Sequence, residues 1–297
     1  MDKDSILHLT FVVAIIILAL ATGIFWGRYQ QNQEISKSAL SAKDITEDFL
    51  LKFEGINIER ALQETSEQVI IPSEAIRVPI LVYHSVRPQV KGESTLIDYF
   101  DITPEMFERN LVYLKENNFS VIPFSSLVKA LEEEKELPKK PVILTFDDGW
   151  KNQYIYAFPL LKQYGVTATF FIFTNAIGHK NFLSWEQIKE LDRFGMTIAS
   201  HTKSHPYLFQ IKDRNILTDE IAGSKKILED GLGKPVEIFA YPFGYFSDLI
   251  VSVVKESGFK AARSSKKGTY HTKDGLFILR SIEISDDFDA FVKNLNK

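Results

Sequence analysis

Short runs of β-branched and other apolar residues alternate with longer amphipathic stretches over most of this chain. The runs Ile80–Tyr83, Val142–Phe146, Ala168–Phe173, Thr197–Ser200, Val236–Tyr241, Lys260–Arg263 and Phe277–Ile284 predict strands. The stretches Pro104–Asn117, Ser125–Glu134, Gln153–Tyr164, Trp185–Phe194, Ile216–Leu228 and Ser247–Ser257 carry the helical period. Strand and helix in alternation predict an α/β fold with a parallel sheet and crossover helices. Some seven strands in one domain suggest a (β/α) barrel over an open sheet. Catalytic residues then gather where the strands end.

The amino-terminal part follows another pattern. Ser5–Gly27 carries no Asp, Glu, Lys or Arg, and Leu9–Trp26 is almost wholly apolar. That length suffices for a helix to cross a bilayer with its backbone polar groups satisfied internally. Trp26 stands where an interfacial aromatic belongs. A cleaved signal peptide is the competing reading, because Ala19-Leu20-Ala21 has small-residue cleavage character. Against cleavage, Met1–Ser5 holds one lysine and two aspartates, and the apolar run continues past that point. A retained membrane anchor over residues 1–27 is therefore expected. Between Tyr29 and Ile71 there is no proline and a single glycine, Gly55, which predicts a helical stalk over 28–77. Pro72 and Pro79 introduce the domain expected at 78–297. Lys3 on one side of the apolar run, and Arg28, Lys37 and Lys43 on the other, give too small a bias to fix orientation.

The 297 residues are 45% hydrophobic and 25% charged, with a net charge of −4. Whole-chain disorder is excluded, and so balanced a charge argues against nucleic acid as the partner. Cysteine is absent, which excludes a disulfide framework, a thiolate metal site and a cysteine nucleophile.

Three predicted strands end in residues foreign to a core. After Val142–Phe146 come Asp147, Asp148 and Gly149. Adjacent carboxylates repel when desolvated unless a cation or proton compensates; the plainer reading is a turn with an aspartate helix cap. After Thr197–Ser200 comes His201-Thr202-Lys203-Ser204-His205, two imidazoles at a spacing that brings them together on one helical turn. The third strand ends in Tyr241-Pro242-Phe243-Gly244, a fixed turn. Together these segments offer one carboxylate and two imidazoles for a metal, with a second carboxylate beside them. Three protein ligands and an open position define a catalytic zinc site.

With these residues the sequence resembles the polysaccharide deacetylases (carbohydrate esterase family 4) over roughly Val78–Ile284. Two family motifs are intact as Thr145-Phe146-Asp147-Asp148-Gly149 and His201–His205; the third is Ala240-Tyr241-Pro242-Phe243. The resemblance implies a distorted (β/α) barrel that removes acetyl groups from N-acetylated sugars of a polymer. It implies that Asp148, His201 and His205 hold one divalent metal, zinc by default, with cobalt or nickel able to use the same ligands. It further implies Asp147 as catalytic base and the backbone N–H of Tyr241 as an oxyanion donor. Two positions depart from the common pattern. Ser285 stands where a histidine acid is usual. The stretch Pro79–Val86, however, resembles the opening strand of a subgroup with permuted motif order that includes poly-N-acetylglucosamine deacetylases, which implies His84 as the acid; His271 is the competitor. Ala240 replaces the arginine that normally pairs with the base, and Arg280 is expected to supply that cation, with Arg263 as the alternative. Tyr241 and Trp185 are expected to stack on sugar rings, with Trp150, Phe243 and Tyr245 as further candidates.

A polymer of this kind lies outside the cytoplasm, so the expected arrangement is a membrane-anchored chain with its catalytic domain extracytoplasmic, or a secreted one if the leader is cleaved. An O-acetyl polysaccharide esterase would use nearly the same metal chemistry. A non-catalytic, membrane-tethered sugar-binding protein is the reading from another class, motivated by Ala240 and Ser285 and opposed by the retained aspartate pair.

Overall fold

A computed structural model of the chain describes residues 74–90, 92 and 100–296. The expected anchor, and the expected stalk up to residue 73, lie outside the described residues. Among those described, no helix is long and apolar enough to cross a membrane.

The strands are β1 (Ile76–Arg77), β2 (Ile80–Tyr83), β3 (Ser85–Val86), β4 (Asp101–Ile102), β5 (Ser120–Val121), β6 (Pro141–Phe146), β7 (Thr169–Ile172), β8 (Thr197–Ser200), β9 (Ile238–Ala240), β10 (Ala261–Lys267), β11 (Tyr270–His271) and β12 (Leu279–Glu283). The helices are α1 (Pro104–Glu116), α2 (Phe124–Glu133), α3 (Phe158–Tyr164), α4 (Trp185–Arg193), α5 (Arg214–Leu232), α6 (Asp248–Glu256) and α7 (Phe288–Leu295). An eight-stranded sheet runs β2-β12-β10-β9-β8-β7-β6-β5, and β2 also pairs with β6. Seven parallel strands thus close on themselves while β5 hangs on the outside of β6. The ring is uneven: β8 and β9 share a single register pair, Ser200 with Phe239, and the β10–β12 register slips between Arg263 and Lys267.

Strands buried on both faces read as continuous apolar runs, which is why β2 (ILVY), β6 (PVILTF) and β7 (TFFI) stand out in the sequence, whereas β10 and β12 carry polar residues. Their side chains divide by parity. Ile80, Ile143, Phe171, Ala199, Ala240, Ala261 and Leu279 form one buried cluster with Phe124 and Leu127 of α2. That cluster is the barrel interior, with α2 closing its base; Phe124 meets Phe171 edge-on at 6.2 Å between ring centroids. The alternate residues Leu81, Tyr83, Leu144, Phe146, Phe170, Phe239 and Tyr241 pack outward against the helices, including Phe107 and Leu111 of α1 and Ile221 of α5. Helix starts are capped as the sequence allows: Thr103 accepts from the Met106 amide, and Ser184 and Gln187 form a reciprocal capping box at α4.

Candidate active site

Because side chains alternate along a strand, the inward-facing residue beyond each strand end is fixed by counting in twos. Ile80 and Val82 lead to His84; Ile143 and Thr145 lead to Asp147; Ala199 leads to His201; Ala261 leads to Arg263; Leu279 and Ser281 lead to Glu283. All five side chains converge at the carboxyl-terminal mouth of the barrel.

Asp147 is buried at the centre. The buried guanidinium of Arg263 donates through Nη2 to Asp147 Oδ2. His84 Nε2 and His201 Nε2 each lie 4.0 Å from that same oxygen. Burial alone would raise this carboxyl's pKa; the guanidinium, with the two imidazoles, outweighs burial and holds it below the usual carboxylate range. Asp147 Oδ1 is buried and has no hydrogen-bond partner among the described residues.

Asp148 turns the other way because its backbone is left-handed, φ 73°. Its Oδ1 lies 3.7 Å from His201 Nε2 and 3.3 Å from His205 Nε2, while Oδ2 accepts from the Trp150 indole N–H at 3.0 Å. The ligand atoms of Asp148, His201 and His205 all fall within 4.8 Å of one another. His201 donates through Nδ1 to the Ala240 carbonyl at 2.8 Å, so Nε2 carries the lone pair that faces Asp148. Burial pushes this imidazole's pKa down to about 4, which keeps it a neutral donor. Two imidazole nitrogens and one carboxylate oxygen fit a borderline divalent cation such as zinc.

The two histidines do not share a helical turn, contrary to what their spacing suggested. They sit in an irregular loop with Thr202 and His205 in left-handed backbone, φ 71° and 58°. The loop is pinned by Glu220 of α5, whose carboxylate accepts from the amides of Lys203 and Ser204 at 3.0 and 2.9 Å.

Three expected site residues stand elsewhere, each for a physical reason. Arg280 has the wrong parity on β12: it is exposed and donates to the Lys267 carbonyl at 3.1 Å. The arginine on Asp147 is Arg263. Tyr241 likewise faces outward, with its hydroxyl donating to the Phe277 carbonyl at 2.9 Å. Its backbone N–H, expected at an oxyanion, donates to Arg263 O at 3.1 Å in the β9–β10 ladder. Trp185 opens α4 and packs on Gly231 of α5, where an added Cβ would lie 2.3 Å from the indole ring. The competitor His271 is buried against the Val78 carbonyl at 2.8 Å, by the start of β2 and far along the barrel from Asp147.

Other residues take these places. Glu283 faces His84 Nδ1 at 3.7 Å, and partial enclosure raises its carboxyl above the usual range. Exposed aromatics border the metal-type cluster. Phe243 lies edge-on to His205 at 4.7 Å and flat on Tyr207 at 3.9 Å; Tyr207 meets Phe209, and Phe209 meets Tyr245.

A parallel barrel with a carboxylate–imidazole cluster beside a second, arginine-paired carboxylate suits metal-assisted hydrolysis, and the comparisons point to one family of such enzymes. The sequence model of the polysaccharide deacetylase family matches residues 134–262, which span both aspartates and both clustered histidines. The match over residues 134–262, with the relatives below, supports a polysaccharide deacetylase domain and an enzyme of that class. It is 27% identical over 245 residues to YxkH of Bacillus subtilis, which bears a provisional polysaccharide deacetylase name; the match covers 81% of this chain and 84% of YxkH. It is 27% identical over 235 residues to the poly-β-1,6-N-acetyl-D-glucosamine N-deacetylase of Staphylococcus epidermidis, covering 72% of this chain and 81% of that one. Among solved structures it is similar to the Streptococcus pyogenes deacetylase PplD in complex with acetate, at 26% identity and a TM-score of 0.70, covering 74% of this chain and 98% of PplD.

Proposed function

We propose that this domain hydrolyses N-acetyl groups of an N-acetylglucosamine-containing polysaccharide outside the cytoplasm, with one divalent ion, zinc by default, held by Asp148, His201 and His205. The observation that carries the reading is the joint placement of that ligand set and the arginine-paired Asp147, within reach of each other and of His84. The name of the staphylococcal relative supports the N-acetylglucosamine polymer, and the PplD complex with acetate supports acetate as a product. The uncharged run Ser5–Gly27 supports an anchored domain facing a polymer outside the cell.

When bound, a divalent ion supplies polarisation of the acetyl carbonyl and acidification of water. The chain's own groups supply the proton movements. Asp147, kept ionised by Arg263 and set beside His84 and His201, takes the proton of the attacking water. The water oxygen then bonds to the acetyl carbon, the C–N bond breaks, and the sugar amine leaves. His84 is placed to protonate that amine through Nε2, with Glu283 beside Nδ1 orienting the ring. Glu283 ends its strand two residues before Ser285, so the cleft has a carboxyl group beside His84 although no histidine stands at 285.

Acetate release is the test. β-1,6- and β-1,4-linked N-acetylglucosamine oligomers and O-acetylated xylan are each incubated with the enzyme and with Asp147→Asn. The proposal requires release from the N-acetylated oligomers and its loss in the variant. Release from xylan alone would replace it with the esterase reading, and no release from any substrate would favour a sugar-binding protein.

A further inference from the structure

We propose that Gln153 is a positioning residue that sets the relation between His84 and Asp147. The inference rests on the roles just given to those two residues.

Asp147 and His84 belong to strands that adjoin in space yet lie far apart in sequence. The backbone ladder between β2 and β6 ends where the Asp147 amide donates to the Tyr83 carbonyl at 2.9 Å. One step further, the carbonyls of His84 and Asp147 would lack a rung. Gln153 supplies it: its side-chain Nε2 donates to His84 O at 2.7 Å and to Asp147 O at 2.5 Å. One amide, with one hydrogen for each carbonyl, thereby ties the residues that bear the acid and the base.

The local fold is shaped for this contact. Gln153 begins a π-helical turn, Gln153–Ala157, in which the Phe158 amide reaches back five residues to Gln153 O. Pro159 follows and has no N–H with which to continue a regular helix from that point. Single π turns inside helices recur at functional sites. Here the turn leaves Gln153 fully buried beneath the cleft. Its neighbour Asn152 donates to Ser85 Oγ at 2.8 Å, so the segment following His84 is held by the same turn.

A space-filling role does not account for the amide. Gln153 Oε1 is buried without a hydrogen-bond partner, so an apolar side chain of the same length would fill the volume without an orphaned oxygen. Exchanging the two amide atoms would set an oxygen against two carbonyls, so the donor assignment is fixed by its partners. Among the described residues its side-chain hydrogen bonds go to the carbonyls of His84 and Asp147 and to none of the side chains of Asp148, His201 and His205. The contact therefore holds the backbone of the acid and the base and touches no ligand side chain.

The test compares Gln153→Met with Asn110→Leu, which removes another buried amide of the same core, one that reaches only the Tyr83 hydroxyl, at 3.4 Å. Steady-state kinetics on an N-acetylglucosamine oligomer are read together with metal content and the visible spectrum of the cobalt-loaded enzyme. Gln153→Met is expected to lose about 10- to 100-fold in kcat with KM unchanged, as small misplacements of reacting groups do, and to keep the cobalt spectrum of the parent. Asn110→Leu is expected to lower Tm and leave kcat alone. If Gln153→Met does not fold, Gln153→Glu serves. Protonated, it can still donate to one carbonyl; ionised, it repels both, so its kcat should fall as pH rises along a limb the parent lacks. The proposal is overturned by an unchanged kcat in Gln153→Met, by an altered cobalt spectrum there, or by a parent-like pH profile in Gln153→Glu. Full activity in Asp147→Asn and His84→Ala would instead bring down the reading on which it rests.

Discussion

Replacing Arg263 by Met removes the guanidinium that bonds Asp147 and leaves the carboxylate's burial in place. The pair is almost fully enclosed, with side-chain exposures of 2% and 6%, so solvent screens it little. An opposite charge at contact depresses a carboxyl by about 1–3 pKa units, and each unit is about 1.4 kcal/mol. A Coulomb estimate at about 4 Å and an effective dielectric near 20 gives about 4 kcal/mol, the upper end of the same range. The sign follows from the direction of the shift. Asp147 has a folded pKa below its unfolded one, so the pair stabilises the protein above the unfolded value and ceases to do so as pH falls through the folded one. In Arg263→Met the acidic limb of the kcat/KM profile should move up by about 1–3 pH units. At neutral pH, Tm should fall by about 5–10 °C, and this deficit should shrink in acid, where Asp147 is protonated in both proteins. Acetate release across pH, with thermal unfolding at neutral and acidic pH, measures both effects. A folded variant with an unmoved acidic limb would refute the claim that Arg263 keeps the base ionised.

Three further outcomes follow from contacts around the cleft. Glu220→Ala frees the loop that carries His205 and should weaken metal affinity about 10- to 100-fold, read by competition with a chromogenic chelator. Tyr207→Ala removes the ring stacked on Phe243 and should raise KM for long oligomers by about 2- to 10-fold, the equivalent of a lost ring contact of about 0.5–1.5 kcal/mol, with kcat unchanged. Gly231→Ala drives a methyl into Trp185 and should cost about 1–3 kcal/mol of stability without touching KM; a raised KM would return Trp185 to the substrate site.

Barrel strands such as β2, β6 and β7 were legible as apolar runs, β8, β10 and β12 only as short segments between amphipathic stretches, and six of the seven helices because each carries an amphipathic period. The two-residue strands β1, β3, β4, β5 and β11 are too short to leave a pattern, and α7 lies beyond the last stretch read as helix. Within the site, the motifs around Asp147 and His201 name their own residues, whereas Arg280 and Tyr241 were placed by analogy with a family pattern and stand out of phase with the barrel interior. Counting in twos from Ala261 and Leu279 points to Arg263 and Glu283 without any structure. Trp185 lay beyond such counting, since its neighbour Gly231 is brought to it only by helix packing. Glu220 and Gln153 act through backbone amides and carbonyls of distant segments, a relation that residue type alone does not carry.

The central claim is that Asp148, His201 and His205 hold one divalent ion on which hydrolysis depends. Stripping the purified protein with a strong chelator, measuring its metal content, and following acetate release before and after zinc or cobalt is restored tests it most directly. The account predicts silent apoprotein, recovery at one equivalent of metal, and no recovery in His205→Ala. Undiminished acetate release from protein shown to be metal-free would contradict it.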